Sequence, residues 1–422
     1  MRLRTLVRSS SATALLPLLV GFVLLVLGDN ITAWVTPGYW TSATGSAAFA
    51  LPFVAAACAA CAAWEASRLS KARVFDQTPV RGPLSVTLTL LLPVLATGLL
   101  ALMAALIIAA IAADVPFGLP QPGILAAAAS VLLANALVGS VIGRIMPGVL
   151  AAPLALVGSF VANAYPASWS AFWPRHLVGG GLSNCCSIDT SVNVKALLGT
   201  IVFTTGVSGA ALVLVRFRGR TTPLTVTAAC VASGVALAWP LVRDIGPEPV
   251  QDRAVSELVC QDAGLYQVCL WPEIENTSHV RKNVRAAAEK LENIGVSVPR
   301  TLTMAARPEN GDTKLGIDPA AGPEDIPLGI ARGLLPEIPA CAVEGHPYPA
   351  GAAAAAMEAW LEVGAGAPLS TVGSHLDPQT AGLLNQLYAQ PRQEQLAWYE
   401  HNRQAMSACG TEPKLNIAEG RP

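Results

Sequence analysis

The segment from Trp64 to Pro83 reads WEASRLSKARVFDQTPVRGP and separates two long apolar runs. It carries four cations and two anions, whereas the flanking runs Thr41–Ala63 and Leu84–Ala113 contain no charged side chain. Each run is long enough to cross a hydrocarbon core of about 30 Å as a helix that rises about 1.5 Å per residue. Because cytoplasmic loops are enriched in Lys and Arg, the segment predicts a cytoplasmic connection between two transmembrane helices.

The apolar runs of the first part of the chain predict seven transmembrane helices. The run that follows Arg2, Arg4 and Arg8 has the basic start of a signal peptide, but it is as long as a full span. The absence of a small-residue cleavage site favours a retained helix. Cation-rich and cation-poor connections alternate, which predicts a cytoplasmic N-terminus and an extracytoplasmic C-terminal part. The predicted spans cover residues 11–27, 41–63, 84–113, 123–143, 149–165, 196–215 and 224–241.

Charge divides the chain into two parts of opposite sign. Residues 1–241 hold 13 cations and 5 anions, a net charge of +8, and residues 242–422 hold 14 cations and 23 anions, a net charge of −9, which together give the total of −1. We therefore predict a membrane all-α polytopic bundle over 1–241, followed by an acidic, soluble α+β domain over 242–422. Phosphate would repel the acidic part, which argues against a nucleic-acid partner.

Local patterns predict the elements of the C-terminal part. Residues 257–271 read as two short strands around Asp262-Ala263-Gly264, and Thr277 or Ser278 can cap a helix that continues to about Ile294. A strand is expected over 296–304. Three closing helices are expected over 349–363, 377–389 and 391–408. The topology of this domain stays open at this point.

The distribution of cysteines agrees with the predicted orientation. Three of the nine lie within predicted spans, none lies in a predicted cytoplasmic loop, and six lie on the predicted outer side, where disulfides persist. The outer cysteines are Cys185, Cys186, Cys260, Cys269, Cys341 and Cys409. Four cysteines in the C-terminal domain allow three pairings, and sequence proximity favours Cys260–Cys269 and Cys341–Cys409. Cys185 and Cys186 with His176 could hold a metal, but adjacent cysteines lack the usual ligand spacing, so no metal is predicted.

The spacing Gly139-x-x-x-Gly143 has two interpretations. It provides a small-residue face against which another helix can pack closely. Alternatively, the two glycines only loosen their own helix. Sequence alone favours neither interpretation.

The predicted spans contain no ionisable side chain in their interiors. Transporters driven by protons or sodium generally place such groups at mid-membrane, so the energy for active transport would have to come from another subunit. The chain has no phosphate-binding loop of the Gly-x-x-x-x-Gly-Lys-Ser/Thr type, and its histidines form no recognisable hydrolase motif. We therefore predict neither enzymatic activity nor a cofactor.

The layout resembles the membrane subunit of type-2 ABC exporters of actinobacteria. The resemblance lies in residues 62–68, where the second span runs into the charged segment, in residues 78–83, and in an amphipathic outer segment between the fifth and sixth spans. In that family the loop after the second span forms a short coupling helix that docks on a separate ATPase. The resemblance implies that the contact residues here are Glu65, Arg68, Lys71, Arg73, Asp76 and Arg81.

The predicted function is therefore that of a permease-like subunit of an ATP-driven exporter in the cell membrane. The resemblance implies a separate ABC ATPase as partner, and a homodimer or a heterodimer with a second permease in the lipid bilayer. The alternative is a membrane-anchored extracytoplasmic binding or sensor protein without transport activity. The outer domain resembles uncharacterised domains attached to permease-like proteins, which implies no activity of its own.

Overall fold

The computed structural model describes residues 10–74, 82–217, 222–309 and 311–416. The chain forms two compact units, Met1–Gln251 and Asp252–Pro422. The boundary lies ten residues beyond the predicted end of the membrane domain, after a short connection that follows the last long helix.

The first unit consists of helices, with one short strand, β1 (Thr190–Val192), in the connection before α9; a second short strand, β2 (Val250–Asp252), pairs with it where the unit ends. Its helices are α1 (Ser11–Leu25), α2 (Gly28–Thr32), α3 (Trp40–Ala47), α4 (Leu51–Lys71), α5 (Pro83–Ala112), α6 (Pro122–Ile145), α7 (Gly148–Ala164), α8 (Trp173–Leu177), α9 (Val194–Arg216) and α10 (Thr222–Val242).

Six helical segments in the described ranges are long and apolar enough to cross a membrane. They cover Trp40–Lys71 (α3 and α4 joined by a 3-10 turn), Pro83–Ala112, Pro122–Ile145, Gly148–Ser168, Val194–Arg216 and Leu224–Val242. The seventh predicted span is not confirmed. Helix α1 has 15 residues, about 22 Å of helical rise, which is shorter than a hydrocarbon core of about 30 Å.

Hydrogen bonds to α5 show where α1 begins. Thr97 donates to the carbonyl of Ala12 (3.3 Å), whereas Thr87 accepts a hydrogen bond from Arg144, near the end of α6 (2.6 Å). The two threonines are ten residues apart on α5, which corresponds to about 15 Å of helix. It follows that helix α1 starts about 15 Å further along α5 than the point at which Arg144 contacts α5. Helix α1 therefore begins partway along the bundle, at a cap provided by the Ser10 side chain.

The closest helix contact lies between α4 and α6. A methyl group on Gly139 would collide with the carbonyl group of Ala59, and one on Gly143 would collide with that of Ala63. The glycines therefore face Ala59-x-x-x-Ala63 across a crossing in which the two backbones touch. Of the two interpretations of the Gly139-x-x-x-Gly143 spacing, the structure supports close helix packing.

Helix α4 continues beyond its predicted end at Ala63 as far as Lys71. The segment from Glu65 to Pro83 was predicted to be a loop, and for its first seven residues this was wrong. The reason is that Glu65, Ala66 and Ser67 are buried against neighbouring helices, so the charged sequence starts within the packed bundle.

The second unit combines a four-stranded sheet with helices. Its strands are β3 (Val259–Ala263), β4 (Tyr266–Leu270), β5 (Thr301–Thr303) and β6 (Thr313–Lys314), in the order β3-β4-β5-β6. The β3–β4 pair is antiparallel, and the other two pairs are parallel. Its helices are α11 (Thr277–Asn293), α12 (Ile326–Leu334), α13 (Ala340–Val343), α14 (Ala354–Ala365), α15 (Leu369–Ser374), α16 (Pro378–Ala389) and α17 (Arg392–Met406). The predicted hairpin, the helix after it and the three closing helices are all present.

The core of the second unit lies between the sheet and α11. This helix buries Val284, Ala288 and Leu291, whose spacing places them on one face, and β4 leads into the fully buried Trp271. The guanidinium of Arg253 lies 4.4 Å from the centre of the Trp271 ring and forms two hydrogen bonds with the Glu273 carboxylate (2.8 and 2.9 Å). The buried cation is therefore paired, as burial of a charge requires.

Replacing Gly139 or Gly143 with alanine should lower the stability of the first unit by about 1–3 kcal/mol, because the added methyl group forces the two backbones apart. At an open position the same change is neutral or stabilising by up to about 1 kcal/mol, since alanine favours helices. Gly209 of α9 is such a position, because no other group lies within 4 Å of its would-be Cβ. Thermal unfolding of the full chain in detergent should show a lower melting temperature for G139A and G143A but not for G209A. An unchanged melting temperature for G143A would contradict the close crossing.

Candidate functional site

The structure describes four of the six residues predicted to contact an ATPase; Asp76 and Arg81 lie outside the described residues. Arg68, Lys71 and Arg73 are exposed at the carboxyl end of α4. Arg73 has a positive φ of 52° and follows the last helical turn, so the chain changes direction there. These three cations are the exposed members among the four described residues of the predicted contact set, and they are called here the α4 cationic end.

Glu65 is used within the bundle. Only 5% of its surface is exposed, and its carboxylate accepts a hydrogen bond from the backbone N–H of Ser11 (2.6 Å). Its second oxygen lies 3.4 Å from a guanidinium nitrogen of Arg68. A carboxylate at the amino terminus of a helix interacts favourably with the unpaired N–H groups and the helix dipole. Glu65 therefore fixes the start of α1 on α4.

Arg144 makes a similar connection at the end of α6. It is 9% exposed, and its guanidinium donates to the carbonyl of Val215 in α9 (3.0 Å) and to the hydroxyl of Thr87 in α5 (2.6 Å). Val215 lies in the last turn of α9, where carbonyl groups lack helical partners and a cation is favourable. Arg144 thus ties together three helices at the same end of the bundle as the α4 cationic end.

A cleft of about 410 Å³ opens between α7 and α9, with α6 as its floor. We call it the amide cleft. Asn135 and Gly139 of α6 line the floor, and Ala59 of α4 lies behind it. Asn135 lies about 20 Å along α6 from its start and about 15 Å from its end, so the cleft opens in the middle of the bundle. The other lining residues are Ala134, Val138, Ile142, Leu154, Ala155, Gly158, Ser159, Ala162, Asn163, Val178, Phe203, Thr204 and Val207.

Three uncharged polar side chains meet where the α6 floor of the amide cleft joins its α7 wall. The carboxamide oxygen of Asn135 accepts hydrogen bonds from the hydroxyl of Ser159 (2.6 Å) and the amide of Asn163 (3.0 Å). The amide nitrogen of Asn135 donates to the carbonyl of Val131 (2.8 Å), and that of Asn163 donates to the carbonyl of Ser159 (2.7 Å). Asn163 is 4% exposed, so this group is held rigidly inside the bundle.

The amide cleft was not predicted, because ionisable side chains were the only signal considered within the apolar runs. The available signal was Ser159 and Asn163, which lie four residues apart on one helix and therefore share a face. A single asparagine in each of two apolar runs, Asn135 and Asn163, is also unusual, because an unpaired amide in hydrocarbon is unfavourable.

The connection between α7 and α9 covers one end of the amide cleft. Val178, directly after α8, contributes to the cleft lining. His176 is almost completely buried, with its Nε2 2.9 Å from the carbonyl of Gly246, while its own carbonyl accepts a hydrogen bond from Thr200 (2.5 Å). Since a carbonyl only accepts, Nε2 carries the proton, and Nδ1, which has no hydrogen-bond partner, is unprotonated. Burial lowers the pKa of His176 below its ordinary value of 6.5.

The structure pairs all six cysteines that were predicted to lie outside the membrane. Cys260 and Cys269 face each other across the β3–β4 ladder, and Cys341 is bonded to Cys409. These are the two pairings that sequence proximity favoured. Cys185 and Cys186 are bonded to each other, a pairing that was not predicted. Among the described residues no group of three or more His, Cys, Asp or Glu side chains is arranged to hold a metal ion.

Comparison with known proteins gives one match. The model of a domain of unknown function, DUF7224, matches residues 268–409, which lie within the second unit. No curated protein and no solved structure matches the chain. The match assigns no chemistry, and the first unit, with the α4 cationic end and the amide cleft, lies outside it.

Acidification should loosen the connection that contains His176. The unfolded chain takes up a proton at this residue below about pH 6.5, whereas burial opposes protonation in the folded chain, so stability should be constant above that pH and fall below it. H176Q should retain a donor to the Gly246 carbonyl without titrating. We expect the melting temperature of the full chain to fall between pH 7.5 and pH 5 by more in the wild type than in H176Q. Equal pH dependence in the two proteins would contradict the assigned role of His176.

Proposed function

We propose that the protein is a permease-like membrane subunit of an exporter that a separate ATPase drives. The observation that carries this proposal is the position of the charges in the six membrane-length helical segments. The charged residues are Glu65, Arg68, Lys71, Arg144, Lys195 and Arg216, and all of them lie within the last or first few turns of their segments. The middle of the bundle contains amides and hydroxyls instead.

This distribution supports an external source of energy. Coupling to a proton or sodium gradient generally relies on ionisable side chains within the membrane. The groups at the centre of the amide cleft, Asn135, Ser159 and Asn163, do not change charge at any physiological pH. Active transport through this cleft would therefore draw its energy from another protein.

The packing offers a route by which that work reaches the amide cleft. Helix α4 carries the cationic end at Lys71 and, about 18 Å along the same helix, Ala59 behind the cleft floor. The crossing at Gly139 and Gly143 allows little independent movement of α4 and α6, because the backbones are in contact. A displacement of the α4 cationic end therefore moves the floor of the amide cleft as a rigid body.

The same charges support the predicted orientation of the first unit in the membrane. Arg68, Lys71, Arg144 and Arg216 lie at helix ends that cation-rich connections join, which favours the cytoplasm for this face and the extracytoplasmic side for residues 242–422. We further propose that α1 belongs to a seventh span with a cytoplasmic N-terminus, because Arg2, Arg4 and Arg8 precede it in the sequence. The family resemblance favours assembly as a homodimer, or as a heterodimer with a second permease.

A second candidate function is that of a membrane-anchored extracytoplasmic binding or sensor protein. One observation favours it: the family match covers residues 268–409, within the second unit, which has its own core. If the second unit alone carries the function, replacing all membrane helices by one unrelated transmembrane helix should leave its binding activity intact. The exporter proposal predicts that this replacement abolishes transport.

Reversing charge at the α4 cationic end should release the ATPase. K71E combined with R73E avoids Arg68, which is paired with Glu65, and therefore should leave the fold intact. We expect at least about tenfold less ATPase to co-purify with this variant. The introduced carboxylates would face the acidic groups of the ATPase that a cationic surface is expected to contact, and like charges at an interface oppose association. K195E, at the exposed start of α9, is the matched control and should retain the ATPase. The proposal fails if no ATPase co-purifies with the wild type, or if the double variant retains it in full.

A further inference from the structure

The amide cleft has the properties of a ligand site rather than of a packing defect. Its volume lies in the range of about 300–1,000 Å³ that is typical of small-molecule sites, and its walls are apolar with one group of polar side chains. In the proposed function this site would receive the exported molecule. Its chemistry can be derived from the lining residues alone.

We propose that the amide cleft binds a neutral lipid alcohol, whose hydroxyl group donates a hydrogen bond to Asn163 and whose hydrocarbon chain lies between α7 and α9. As the identity of the transported substrate this inference rests on the proposed function. As a binding site it does not, because binding is measurable without an ATPase or transport.

The hydrogen bonds of the polar group leave the carboxamide oxygen of Asn163 able to accept a further hydrogen bond. The carboxamide oxygen of Asn135 already accepts two hydrogen bonds, from Ser159 and Asn163. The corresponding oxygen of Asn163 has a single contact, 3.5 Å from the amide nitrogen of Asn135, and that nitrogen already donates to Val131 at 2.8 Å. An amide oxygen accepts two hydrogen bonds, so this oxygen can accept from a ligand. The site therefore favours a head group that donates.

The lining also determines the charge of the ligand. All of the residues that line the amide cleft are uncharged. An ionised head group there would lose its hydration without gaining a counter-ion, which is strongly unfavourable. A neutral hydroxyl meets the requirement of the site, whereas a fatty-acid carboxylate or a phosphate does not.

The dimensions suit a hydrocarbon chain better than the most obvious alternative occupant, a helix from a second copy of the chain. A helix about 10 Å in diameter would fill about 410 Å³ with roughly one turn of 5.4 Å. A transmembrane helix would therefore fill the cleft with only about one turn of its length. A hydrocarbon chain is much narrower and can extend along the apolar walls formed by Leu154, Phe203 and Val207.

Photolabelling of the full-length protein in lipid nanodiscs tests the proposal. The probe is a long-chain alcohol that carries a diazirine on its chain, and the competitors are unlabelled oleyl alcohol, its O-methyl ether and oleate. We expect labelled peptides from α7 or α9. The ether should compete about threefold to tenfold less well than the alcohol, because it lacks the donated hydrogen bond. Oleate at neutral pH should compete least.

Two variants separate binding from folding. Gly158 lines the amide cleft, and no other group lies within 4 Å of its would-be Cβ, so the leucine in G158L enters the cleft without disturbing the polar group. We expect it to reduce labelling by at least about tenfold, the effect of a little over 1 kcal/mol of lost binding. G21L in α1, which is equally open and lies outside the cleft, is the control and should label like the wild type. N163L should remove the preference for the alcohol over the ether.

Three results would overturn the proposal. The first is equal competition by the alcohol and its ether. The second is unchanged labelling of G158L. The third is absence of labelling together with a disulfide-linked dimer of G158C, which would place a second copy of the chain at the cleft. Transport data enter none of these outcomes, so the site can bind the alcohol even if the exporter proposal fails.

Discussion

The contact between α4 and α6 is the constraint on which the first unit depends. Two glycines of α6 lie against the backbone carbonyls of Ala59 and Ala63, a distance that no larger residue permits. Helix α7 packs on α4, and α9 packs on α6, so both are positioned by this crossing. The amide cleft is the space between α7 and α9 that lies over the α6 side of this crossing.

The charged residues at the helix ends of the first unit fall into two groups, one buried and one exposed. Glu65 and Arg144 are buried, and each is matched to a helix end: Glu65 to the N–H groups at the start of α1, and Arg144 to a carbonyl at the end of α9. Truncating either side chain leaves a buried backbone group without its partner, which generally costs about 1–3 kcal/mol, so both residues stabilise the contacts between helices. Arg68, Lys71 and Arg73 are exposed at the same end and are therefore the cations that can meet a partner.

The large features of the fold could be predicted from the sequence because they depend on strong local patterns. Uncharged runs of 17 or more residues predicted six of the long helices, and the period of Val280, Val284 and Leu291 predicted α11. The first span was not confirmed because α1 starts at Ser11 as predicted but ends at Leu25, and an apolar run does not show where the helix within it stops. The burial of Glu65 could not be predicted either, since its partner, the N–H group of Ser11, lies 54 residues away in the chain.

The orientation of the first unit is the claim on which the account depends most, because in the proposed function an ATPase reaches the α4 cationic end from the cytosol. Labelling of intact cells with a membrane-impermeant maleimide tests it, with K71C at the end of α4, K282C on the exposed face of α11 and the wild type as background. The account predicts that K282C reacts in intact cells and that K71C reacts only after permeabilisation. Reaction of K71C in intact cells, with K282C protected, would place the cationic end outside and contradict the account.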